Sequence, residues 1–261
     1  MPATTLVPLL ALAGLMGVHL LSHRLRFLSN TPRSRSLSFA SGVSLAYVFL
    51  FLLPELAEGQ DTLESHLGRF DLPLADFAIY LAALGGLLLF YALERSLQGD
   101  PTQGRDPDGD AEAAAGGAES HPLYWLHLGS YALYSVVVGY LLFQEPAAGA
   151  EEFPAVERAV FGLAMVLHFL VVDFGLRTDF PRGWVRAGRW VLSGATVAGA
   201  ALGAGVVVSE LALLALVAVL GGGVILNVLK EELPRERESR MGALLVGIAS
   251  FAAVLAISDF A

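Results

Sequence analysis

Cysteine is absent from the chain, which rules out both a disulfide framework and thiolate ligation of a metal. Charge is scarce too. Asp, Glu, Lys and Arg make up 16% of the residues, against about a quarter in an ordinary soluble domain. Lysine occurs once, at Lys230, and the net charge is −9. Nothing basic is long or clustered enough to track phosphates, so nucleic acid is excluded as a partner. Hydrocarbon fills the space instead. Hydrophobic residues are 55% of the 261, and the mean hydropathy is +0.63. They gather in long runs rather than periodic stripes, as in a membrane-spanning chain.

A helix needs roughly 20 apolar residues to cross a bilayer. On that basis eight spans are predicted: Thr4–Leu21, Leu37–Leu56, Phe77–Leu93, Leu123–Phe143, Val160–Leu176, Val191–Val208, Leu211–Leu229 and Gly242–Ser258. The fold class is therefore an all-α polytopic membrane protein, a single transmembrane domain over residues 1–261. The first run has no arginine before Arg24; lacking a basic leader, it reads as a retained helix rather than a signal peptide. Arginines and the lysine cluster after spans 1, 3, 5 and 7, which places 14 of the 16 basic residues on one side. The positive-inside rule makes that side cytoplasmic and puts both termini outside, in the cell membrane. The bias to Ala, Gly, Leu and Arg suggests a GC-rich prokaryotic genome.

The longest loop, residues 98–120, carries six acids against Arg105 alone and is rich in Gly, Ala and Pro. It reads as a flexible, acidic cytoplasmic linker. Within it Asp106–Asp110 resembles the opening of a calcium loop, but Ala111 and Gly117 stand where that loop needs glycine and glutamate. Small residues spaced at Gly199 and Gly203 let helix backbones approach closely in lipid. Gly221–Gly223 reads in the same way, or as a looser stretch of helix. Pro54 is expected to kink or end the second span.

Polar residues inside the spans are costly and call for compensation. His19 and His23 sit at the cytoplasmic end of span 1, where an imidazole is cheap. His127 shares a helical face with Tyr131, four residues on. His168 lies near the middle of span 5 and is expected to face the bundle interior. Asp173 follows it by about 140° of rotation and roughly 7.5 Å of rise, so one straight helix does not offer both to one ion. Asp173 is also four residues before Arg177 and is expected to pair with it. A first-row ion such as zinc suits imidazole. His127 and His168 are the metal candidates, with Tyr131, Asp173 and Asn227 as supporting residues and Ser130 a further donor.

LSFASGVSLAYVFLFLLPEL at residues 37–56 and GGGVILNVLKEELP at residues 221–234 resemble the second and seventh spans of the ZIP family of divalent metal transporters. The family's eight spans, outside termini and variable loop between spans 3 and 4 match the hydropathy reading. The resemblance implies a metal site on spans 4 and 5. The fourth-span pattern His-Asn-x-x-Asp is reduced here to His127, with Leu128 and Tyr131 in the other places. The fifth-span pattern His-Glu-x-x-His-Glu is reduced to His168 and Asp173, with Phe169 and Val172 between. The primary ion position would keep His127 and His168, the neighbouring one nothing, and span 6 has no carboxylate before Glu210.

Three functions follow. The first is ZIP-like transport of a divalent cation through a reduced single-ion site, with neutral imidazoles releasing metal as they protonate. The second is a protein of the same fold that no longer moves metal and serves another solute or a structural role. Missing carboxylates favour it, since divalent cations need anionic donors to leave water. The third is an intramembrane zinc hydrolase drawing on His19, His23, His127, His168, Asp173, Ser41 and Ser44, favoured should His19 or His23 join the site; no nucleophile motif supports it, and an enzyme is not expected. No cofactor is assigned; Zn2+ or another divalent cation enters as the transported ion. The lipid bilayer and that cation are the expected partners, with a homo-oligomer left open.

Overall fold

A chain in hydrocarbon has no water for its backbone, so its N–H and C=O groups must pair within helices or a closed barrel. The described residues meet that requirement: they are helical, and no strand occurs among them. The structure, a computed structural model, describes residues 3–22, 35–67, 74–97, 122–144, 155–180, 183–232 and 240–258. The acidic 98–120 loop, its calcium-like stretch, His23 and the arginines at 24, 26 and 33 lie outside the described residues, as does the Leu-Pro end of the seventh-span motif.

The α-helices are α1 (Ala3–Leu21), α2 (Arg35–Tyr47), α3 (Leu53–Leu67), α4 (Ala78–Leu97), α5 (Pro122–Phe143), α6 (Ala155–Asp179), α7 (Arg189–Gly205), α8 (Glu210–Asn227) and α9 (Met241–Ser258). A π-turn at Val48–Leu52 joins α2 to α3, so the described residues form eight rods. Among the described residues five helical stretches are long and apolar enough to cross a membrane: Arg35–Ser65, Ala75–Leu93, Tyr124–Phe143, Arg158–Arg177 and Glu210–Lys230. The outward faces are apolar as well; Leu10, Leu89 and Ile257 are each more than 60% exposed. Side chains of that kind suit lipid.

Two of the differences from the predicted boundaries have a clear local cause. Pro54 does not end its helix, which continues to Leu67. The wider π-turn falls just before the proline, where its ring and missing N–H would otherwise disturb a regular α-turn. Span 6 was expected to reach Val208, but α7 stops at Gly205, and Val206 is already extended at φ −128° and ψ 121°. Three successive β-branched valines after a glycine favour that exit. Tyr140 fixes the extended stretch. Its hydroxyl donates to the Val206 carbonyl at 3.1 Å and accepts the Val208 N–H at 3.1 Å.

Lipid gives helices no hydrophobic reason to associate, so close packing and polar bonds must do it. Three crossings are made by glycine on both sides. Gly42 of α2 meets the Leu244 carbonyl of α9, and Gly247 returns the contact against Phe39. Gly86 of α4 lies on Val219 of α8, and Gly222 lies on Ala83. Gly139 of α5 lies on Thr196 of α7, with Gly199 on Val136 and Gly203 on Tyr140. A Cβ at any of these positions would enter the partner's backbone. Gly221 and Gly223, beside Leu52 and Phe90, pack within a continuous helix and do not loosen it.

The order of these contacts gives direction. Along α5, Val136 and Tyr140 follow Gly199 and Gly203 of α7 in the same sense, so those helices run parallel. Helix α1 also runs parallel to α6: Ala11 meets Gly162, Gly14 meets Val166, and farther on His19 meets Asp173. Three buried hydroxyls are satisfied within their own helices. Ser41, Ser135 and Thr196 donate to the carbonyls of Leu37, Tyr131 and Leu192, four residues back, the usual solution without water.

Candidate functional site

The parallel packing of α1 on α6 builds a polar centre inside the bundle. Small residues at Ala11, Gly14 and Gly162 hold the two axes close, and the next turns bring His19 level with Asp173. Both side chains are 0% exposed. Nδ1 of His19 lies 3.0 and 3.1 Å from the two carboxylate oxygens, so imidazole and carboxylate are hydrogen-bonded to each other. Nε2 of His19 has no hydrogen-bond partner among the described residues.

This arrangement corrects two expectations. Asp173 does not pair with Arg177. The Arg177 guanidinium instead donates to the Ser22 carbonyl at 2.7 Å and lies over the Phe174 ring at 5.4 Å. An i, i+4 pair needs both side chains on one accessible face, whereas Asp173 points into the bundle and Arg177 reaches for the end of α1. His19 is not an interfacial imidazole either. The close α1–α6 contact carries it beneath the surface, where it becomes the carboxylate's partner.

His168, one turn and a half before Asp173, is also 0% exposed. It lies within electrostatic reach of that carboxylate. Phe169 touches both imidazoles, edge-on to His19 at 4.9 Å and to His168 at 5.9 Å. Tyr134 of α5 completes the surround. Its ring stacks on Phe169 at 5.2 Å and meets His168 at 5.8 Å, and its hydroxyl donates to Met165 Sδ at 3.2 Å. On its far side Tyr134 lines a small cavity of about 30 Å³ shared with Tyr47, Val138 and Val224. A cavity of that size is on the scale of one water molecule.

The remaining sequence candidates sit elsewhere. The Tyr131 hydroxyl donates to Asn227 Oδ1 of α8 at 3.2 Å, which joins two expected supporting residues to each other. His127 belongs to α5, but its side chain lies outside the described residues. Among the described residues no group of three or more His, Asp or Glu side chains is placed to hold one metal ion. His19, on which the hydrolase reading depends, therefore arrives at Asp173 without assembling such a group.

Compared with known proteins, the chain matches no family model and no curated protein. Sequence reasoning placed His19 at the interface and counted it only in the hydrolase reading, although a signal for its pairing with Asp173 was present. Spans 1 and 5 run in the same direction in the alternation, and His19 and Asp173 lie equally near their shared ends. Equal depth on parallel spans was the clue.

Proposed function

We propose that the chain is an integral protein of the cell membrane that passes a divalent cation of zinc-like chemistry through a pared-down interior site. In this reading it has eight spans, outside termini and cytoplasmic basic loops. Eight rods support it, as does the parallel running of α1 with α6, which requires an odd number of crossings between them. The likeness of residues 37–56 and 221–234 to ZIP transporters points the same way. One observation carries the reading: Asp173 is the fully buried carboxylate among the described residues, and two buried imidazoles lie beside it.

A divalent cation leaves water only for anionic or strongly polar donors. Asp173 supplies the charge; His168, about 7.5 Å away along the same continuous helix, would meet the ion at a successive step rather than share it, with His127 as the further ligand implied by the resemblance. A cation drawn to Asp173 competes with the His19 N–H for the same oxygens. Loading would therefore displace the His19 contact, and restoring that contact would favour release. The test is zinc uptake by proteoliposomes containing native protein or His168→Ala. Uptake should fall at least tenfold in the variant; equal uptake by both would exclude His168 from the pathway.

A second reading has its own support. Tyr131 is bound to Asn227 and Asp173 to His19, so each helper already has a protein partner and can serve as interhelical glue. A protein of the same build that carries no metal would show native uptake no higher than empty liposomes.

A further inference from the structure

Away from the interior centre, an open-sided groove of about 700 Å³ runs between α2, α6 and α9. Its walls are hydrocarbon, from Phe39, Leu167, Ala243 and Val246, and its mouth holds two arginines, Arg35 and Arg240. Leu167 and Leu170 of its wall pack in turn against the buried cluster of Leu37, Ala40 and Val171. Both arginines are exposed, and neither has an ion-pair partner among the described residues. Each stands at the start of a helix, α2 or α9, whose dipole adds positive potential at that end. Arg177 lies at the same end of α6.

We propose that this groove is a binding site for an anionic phospholipid. Its headgroup phosphate would lie between Arg35 and Arg240, and an acyl chain would lie along Phe39, Leu167 and Val246. Charge complementarity selects this occupant. A neutral lipid gains nothing from two guanidinium groups that have no ion-pair partner among the described residues, and a free anion gains nothing from the apolar walls. Arginine binds phosphate through paired N–H donors, and basic pockets between helices on the cytoplasmic face are suited to acidic headgroups. The volume falls in the range of small-molecule sites. In the bundle such a lipid would bridge α2 to α9 across their glycine crossing, on the outside of the interior polar centre.

The test is native mass spectrometry of the full chain from neutral detergent. Phosphatidylglycerol is added, or phosphatidylcholine of the same acyl chains, and the lipid retained on the protein is counted. Phosphatidylglycerol should be held in preference to phosphatidylcholine. Arg35→Gln and Arg240→Gln should each weaken that preference about fivefold, while Arg35→Lys and Arg240→Lys retain most of it. Ala243→Trp, which fills the groove and leaves the charges, should weaken it as well. Equal retention of the two lipids would overturn the proposal. So would a preference that survives Arg35→Gln with Arg240→Gln, or displacement of the lipid by inorganic phosphate alone. Melting temperatures of the variants in phosphatidylcholine, expected to match the native protein, separate lost binding from lost folding.

Discussion

At the scale of single residues, the expensive groups are His19, His168 and Asp173. Breaking a buried ionic contact costs more than deleting it, because the partner is left uncompensated. His19→Leu should therefore destabilise the protein by about 3 kcal/mol, measured by unfolding in detergent. The double variant His19→Leu with Asp173→Leu should recover at least half of that loss, since no charge remains stranded. Additive losses would mean that the two side chains do not depend on each other. The depth of His168 and Asp173 was readable from the sequence, because both sit inside an apolar run. Their partners were not. A carboxylate four residues before an arginine suggests a local pair, and only the approach of α1 turns Asp173 inward to His19. Hydropathy reports how deep a side chain lies and says nothing of which neighbouring helix it faces.

At the scale of helices, glycine decides where pairs cross. Gly199 and Gly203 were legible from their spacing. Gly222 was legible within the Gly221–Gly223 run, but its partner Gly86 was not, nor were Gly42 and Gly247, because these show no glycine repeat at four-residue spacing. Gly222→Leu should push α8 off Ala83 and cost about 1–3 kcal/mol, the usual penalty of overpacking. Gly85→Ala, where an added Cβ meets nothing within 4 Å, should leave the melting temperature unchanged. A tolerated Gly222→Leu would show that α4 and α8 are not pressed together. Helix ends were the least legible feature. Pro54 reads as a stop, yet the π-turn at Val48–Leu52 lets the helix pass it. The α7 exit at Gly205 depends on Tyr140, from a different rod, holding Val206 and Val208.

For the whole molecule, the absence of cysteine is an experimental advantage, since any introduced thiol is the only one. Asp61→Cys on α3 and Arg95→Cys at the end of α4 lie at exposed positions on opposite sides of one predicted crossing. In intact cells a membrane-impermeant thiol reagent should label Asp61→Cys and spare Arg95→Cys until the cells are opened. Labelling of both from outside would contradict the eight-span alternation. The helical class followed from the apolar runs alone, since length and hydropathy act over whole segments; among the described residues five helices are long and apolar enough to cross a membrane. The pairing of rods did not, because it depends on single small residues and on which spans run parallel. The most direct measurement is zinc uptake into proteoliposomes by native protein and by Asp173→Asn, which keeps the shape and removes the buried charge. Uptake by the native protein that collapses in Asp173→Asn is the predicted result. Equal uptake by the two proteins, with Asp173→Asn folded and correctly inserted, would contradict a cation path built on the α1–α6 polar centre.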